Sequence, residues 1–196
     1  MVLSNVEIHK ALDEGRLIIS PEPSPRQPTS ANPDCPYNTT SVDLRLGTTL
    51  SIPKSGPFSY DLRKPGIARF LSQNCDHIPI DPVGGYTLKT HQFVLGETLE
   101  RLTLPIVADG QTLAARIEGK SSFARCGLLV HFTAPTVHAG FDGKLTLEMI
   151  LLGSSDMVLV PEMKICQLIL EEVKGTPFPA PSQFQGQSTP SGLAPK

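Results

Sequence analysis

Apolar and polar residues alternate along this chain in many short runs, with proline and glycine between them. The clearest run is Leu145 to Leu152 (L-T-L-E-M-I-L-L). Its period of two predicts a strand with Leu145, Leu147 and Met149 toward the core and Thr146 and Glu148 on the other face. Val42, Leu44 and Leu46 likewise predict a strand over 41–47 with Asp43 and Arg45 opposite them, as a cross-strand or solvated charge pair. Further strands are predicted at Arg16–Ser20, Gly84–Lys89, Gln92–Leu95, Leu113–Ile117, Gly127–Phe132, Met157–Pro161 and Ile165–Val173, with turns at Pro135–Gly140 and Gly153–Asp156. Glu97 to Pro105 fits a helical turn or a strand end.

One helix stands apart from this pattern. Ser4-Asn5-Val6-Glu7 has the form of a capping box, Ile8, Ala11 and Leu12 recur at helical spacing, and Gly15 stops the run, so a short helix is expected over Asn5–Glu14. Pro21 to Thr40 has no period and predicts a long surface loop with no assigned role. Thr48 to Asp81 holds apolar patches broken by prolines, with strands plausible and their limits unreadable. From Lys174 onward proline, serine, glutamine and glycine dominate. The organisation read from this is one β domain over 1–173 and a flexible tail over 174–196 able to order over a ligand.

Composition narrows the function. A chain of 196 residues suits one domain and buries roughly 70% of its unfolded surface, so it needs neither disulfide nor structural metal. The formal net charge of −2 supplies no basic field for nucleic acid or an anionic membrane, so neither is expected as a partner. Cys35, Cys75, Cys126 and Cys166 form no C-x-x-C pair, no apolar run approaches a membrane span, and the expected compartment is the cytoplasm.

Several chemistries can then be weighed. Ser121 and Ser122 lack the G-x-S-x-G elbow of a hydrolase nucleophile. None of the five histidines begins an H-x-E motif and no cysteine pair accompanies them, which excludes a zinc deaminase site. Gly119-Lys120-Ser121-Ser122, with Arg125 nearby, gathers hydroxyls, cations and flexible amides that could hold a polyphosphate, although an ordinary loop has the same composition. Glu148 would be a solvated carboxylate on an open strand, or a general acid/base in a desolvating cleft.

Taken together, these blocks resemble the dCTP deaminase branch of the dUTPase superfamily. The resemblance rests on S-V-D-L-R-L-G (41–47), T-L-E-R-L-T-L-P (98–105), G-K-S-S-F-A-R-C-G-L-L-V-H-F-T-A (119–134), H-A-G-F-D-G-K-L-T-L-E (138–148), P-E-M-K-I-C-Q-L (161–168) and the tail F-Q-G-Q (184–187). It implies a mainly β, distorted barrel of jelly-roll-like, dUTPase type in a homotrimer, with active sites between subunits. The implied reaction is hydrolysis of dCTP to dUTP and ammonia without zinc, with Mg2+ riding on the triphosphate, feeding dUMP and dTTP synthesis. Glu148 would be the proton shuttle. Ser121 and the Ala134 carbonyl would position the attacking water, and Arg125 would stabilise the site. The nucleotide (dCTP, dUTP or dTTP) would meet Lys120, Ser121, Ser122, Phe123, Ala124 and Arg125, with His138 near the sugar. Thr146, Leu147 and Glu148 would meet the base, and Gln183, Phe184 and Gln187 would belong to the closing tail.

Three departures matter, one of them the lengthened Pro21–Thr40 loop, which has no functional account. His138 stands where family members usually carry the aspartate that in dUTPases activates the attacking water, which argues against a dUTP diphosphatase or a bifunctional deaminase–diphosphatase. Gln183 stands where many members have a phosphate-reaching tail lysine. The competing expectation is a non-catalytic, nucleotide-binding regulatory trimer.

Overall fold

The computed structural model describes residues 1–107, 111–180 and 182–192. Ser4 caps the opening helix, accepting a bond from the Glu7 amide, so α1 (Asn5–Asp13) begins where the capping box places it. Ile8 and Ala11 bury its apolar side. Two larger sheets then enclose one core. The first joins β4 (Cys75–Pro79), β3 (Thr49–Pro53), β6 (Phe93–Thr103), β10 (Asp142–Leu151) and β8 (Leu128–Val130) in that order, with β1 (Ile18–Ser20) also on β6. The second joins β2 (Val42–Arg45), β12 (Lys164–Glu172), β7 (Leu113–Gly119) and β9 (Thr136–Val137). A small ladder of β5 (Tyr86–Leu88) and β11 (Met157–Leu159) completes a mainly β architecture.

Alternation fills the core from both sheets. Leu145, Leu147, Met149 and Leu151 of β10 point inward, as do Ile117 of β7 and Leu168 and Leu170 of β12. Glu97–Pro105 resolves as strand: β6 runs unbroken to Thr103, with Leu102 and Leu104 buried.

Three expectations need correction. Thr48–Asp81 contains a helix, α2 (Ile67–Asn74), between β3 and β4. Gly66, at φ 99°, starts it without a side-chain cap and only Ala68 is buried, so neither sign of a helix was present. Pro135–Gly140 opens with the two residues of β9 before it turns. Asp43 and Arg45 are not paired with each other, and each is held by a different charged side chain. Lys120 Nζ lies 2.6 Å from Asp43, which also accepts from Asn38 and Gln167, while the Arg45 Nε and main-chain amide donate to Glu100 at 2.7 and 2.9 Å.

The Arg45–Glu100 bond ties one sheet to the other and has a side chain with no exposed surface at one end. Removing one partner strands a buried charge. Arg45→Ala, which leaves the wholly buried Glu100 carboxylate without its cation, is therefore expected to lower unfolding free energy by about 3 kcal/mol, the low end for breaking such a pair because the main-chain amide at 45 still donates to Glu100. Urea denaturation checks it; a loss below about 0.5 kcal/mol, the range of ordinary surface substitutions, would show the tie to be dispensable.

Candidate active site

Strand register gathers one row of side chains on a single face of the first sheet. His77 of β4 opposes Ser51 of β3, Ser51 opposes Leu95 of β6, and Leu95 opposes Glu148 of β10. Directly opposed residues share a face. At the end of the row the His131 amide donates to the Glu148 carbonyl at 2.7 Å, just past β8. His131 then turns out of the strand with φ 55°, a conformation few non-glycine residues adopt.

That turn sets His131 between two acceptors. Its Nδ1 lies 2.6 Å from Glu148 Oε2, and its Nε2 lies 2.7 Å from the Ala134 carbonyl. The first contact is close but off the line of a good hydrogen bond, so both atoms keep an unfilled direction. A carbonyl can only accept, so Nε2 carries a proton, and a carboxylate oxygen so near Nδ1 favours a proton there too. Burial by itself lowers the pKa of His131; Glu148, with the Ala134 and Thr146 carbonyls, outweighs it and the net shift is upward. The side chains are 9% and 28% exposed, so imidazole and carboxylate form a largely desolvated ion pair.

The remaining predicted residues fall into three groups. Thr146 lies on the face of Glu148 and its hydroxyl is buried without a hydrogen-bond partner among the described residues, whereas Leu147 is wholly in the core and offers only its main chain. Lys120 precedes a five-residue helix, α3 (Ser121–Arg125), rather than the loop that its composition suggests. Ser121, Ser122, Ala124 and Arg125 are exposed, and Phe123 packs on the core and anchors the turn. Lys120 is held by Asp43, which removes it from the open cluster of donors. Among the described residues no hydrogen bond or ion pair joins α3 to Glu148. His138 is exposed beyond β9.

The tail forms the third group. Gly186 donates to the Asp142 carbonyl, Lys144 donates to the Gln187 carbonyl at 2.9 Å, and Gln187 Nε2 donates to the Lys144 carbonyl at 2.7 Å. Gln187 is buried and Phe184 half-buried, with Gly192 folded against the Phe184 ring; Gln183 is exposed. Among the described residues no three histidine, cysteine, aspartate or glutamate side chains gather as a metal site, and no helix is long and apolar enough to cross a membrane.

Sequence reasoning missed His131, which it considered only as a failed zinc ligand. Its sole signal was its place in H-F-T-A, since pairing with Glu148 depends on the register of β8 on β10. The raised pKa gives a sign to test. His131 gains stability from its partners when protonated, so the gain is full below its unfolded value, about 6.5, and fades as pH rises through the higher folded value. The stability gap between wild type and His131→Phe, measured by urea unfolding at pH 6, 7.5 and 9, is expected to shrink as pH rises. A gap that is constant or widens would contradict the ion pair.

Comparisons with known proteins show the family. The family model described as dCTP deaminase-like matches residues 2–173. A dCTP deaminase of Haloarcula marismortui is 34% identical over 202 residues, covering 97% of this chain and 92% of that protein. A dUMP-forming dCTP deaminase of Coprothermobacter proteolyticus is 36% identical over 197 residues, covering 98% and 95%. The crystal structure of 2′-deoxycytidine 5′-triphosphate deaminase from Agrobacterium tumefaciens superposes with a TM-score of 0.64 over 88% of this chain and 48% of that one; at 17% identity it speaks for the fold. With the family model spanning nearly the whole β domain and relatives matched almost end to end, this chain belongs to the dCTP deaminase-like family.

Proposed function

We propose that this protein deaminates dCTP hydrolytically, with Glu148 as the proton shuttle. The observation that carries the reading is the half-buried Glu148 carboxylate, held by His131 through one oxygen, in a chain of this family. Its other oxygen remains to work on substrate.

The steps follow from what a carboxylate can do. Glu148 takes a proton from water as the water oxygen bonds to C4 of the cytosine ring, and the proton passes to ring N3. The C4–N bond of the tetrahedral adduct then breaks. A proton moves to the departing amine, and the sum is dCTP plus water giving dUTP plus ammonia. Adjacent His131 holds the carboxylate in one orientation through the contact at Oε2. The Ala134 carbonyl accepts from His131 and retains a second lone pair for the attacking water. The substrate is the Mg2+ complex of dCTP, and we assign no zinc to the reaction.

The assembly is part of the same proposal. Ser121, Ser122 and Arg125 stand exposed and unlinked to Glu148 within one chain, so the phosphate and base sites are completed by a second copy, in a homotrimer. The docked Gln187 segment supports a lid role for the tail. Relatives bear both dCTP deaminase and dUMP-forming names, and we assign dUTP as the product here. His138 replaces the usual carboxylate, and nearby Asp142 is occupied by Arg101 and Thr103, which hold its pKa down.

Purified protein with dCTP and Mg2+ is expected to release ammonia and dUTP in equal amounts with no pyrophosphate. Glu148→Gln is expected to lose about 10²–10⁴-fold in rate. Stoichiometric pyrophosphate would make the enzyme dUMP-forming instead. Wild type no faster than Glu148→Gln would overturn the catalytic reading.

A further inference from the structure

Beside the Glu148 row lies a second feature that the deamination scheme does not use. Glu97 of β6 directly opposes Thr146 of β10, and the two therefore share the site's face. Register shifts between Lys144 and Thr146, where the Leu145 amide turns to the Thr98 hydroxyl at 3.0 Å. Such a bulge re-aims the side chains on either side of it. Lys144 Nζ reaches one Glu97 oxygen, Oε1, at 3.2 Å. The other, Oε2, is buried with no hydrogen-bond partner among the described residues, as is the Thr146 hydroxyl, and the Glu97 side chain is 7% exposed.

An unpaired carboxylate oxygen in such a place is costly unless something fills it. Gly47 makes room for the side chain, since a Cβ there would lie 2.8 Å from Glu97 Cγ. Glu97 also lines a cavity of about 350 Å³, roofed by the tail at Pro190 and Ser191 and walled by Thr49 and His77. Both His77 ring nitrogens are occupied, by Ser51 and the Ser72 carbonyl, so it is a wall and not a competing ligand.

The geometry points to Glu97 as the acceptor for a hydroxyl of the nucleotide held at Thr146 and Glu148, either on the sugar or on the pyrimidine, with the Thr146 hydroxyl as its neighbour. A carboxylate oxygen can only accept. Lys144 already balances the charge, which favours a neutral donor over an ammonium group. An O–H donated to a carboxylate is the shorter and stronger kind of hydrogen bond. The assignment rests on the deaminase reading, because that reading puts the base beside Thr146.

The test compares kcat/KM of wild type, Glu97→Met and Glu97→Ala on dCTP, 2′,3′-dideoxy-CTP, CTP and 5-hydroxymethyl-dCTP. Wild type is expected to prefer the nucleotide bearing the recognised hydroxyl over its counterpart without it by about tenfold or more. Dideoxy-CTP and CTP report a sugar hydroxyl, and the 5-hydroxymethyl compound a hydroxyl on the base. In Glu97→Ala that preference is expected to fall to within about threefold, while a merely structural role would lower all four rates together and leave the ratios unchanged. Unchanged ratios in a folded Glu97→Ala protein overturn the assignment, and Glu97→Met, close in length but without an oxygen acceptor, supplies the same reading should the alanine variant not fold. If wild type deaminates none of them, the deaminase reading fails by itself. Calorimetric binding of the same four nucleotides to wild type and Glu97→Met then decides the hydroxyl acceptor: loss of a hydroxyl-dependent preference supports it, and its persistence overturns it.

Discussion

The site depends on a single contact, the ion pair between His131 and Glu148. Sheet register brings the two together, a left-handed backbone turn swings the imidazole outward, and the Ala134 carbonyl holds its far nitrogen. Each constraint comes from a different piece of chain, and together they leave the ring little freedom. The carboxylate is thereby fixed in place on the outer face of β10, with one oxygen against the imidazole.

The rest of the molecule makes this contact durable. Leu145, Leu147 and Met149 bury one side of β10, so Thr146 and Glu148 are committed to the other. A slip by one residue would exchange the faces and bury Glu148 in the core. The Arg45–Glu100 tie links the sheets, and Lys120–Asp43 fastens the residue preceding α3 to β2. Both bonds belong to the scaffold.

How much of this was legible in the sequence depends on the range of the interaction. Alternation in 145–152 assigned Glu148 its face, because a strand's period is local. The capping box located α1 for the same reason. Pairings between distant segments were not readable. Lys120 was grouped with the donors around it, while its partner Asp43 lies 77 residues away. His131 needed the β8–β10 register before it could be linked to Glu148. Glu97 had no signal at all, since nothing local distinguishes a carboxylate facing a cavity from one facing solvent. Family resemblance supplied the odds on Glu148, and the fold supplied the partner that explains it.

The central claim concerns a protonation state, and ¹⁵N NMR of the His131 ring reads it directly. Near pH 7 both ring nitrogens of the wild-type protein are predicted to carry protons, with shifts of an imidazolium. In Glu148→Gln the same ring is predicted to become neutral at that pH. A neutral, single-tautomer His131 in wild type would contradict the ion pair and the role assigned to it.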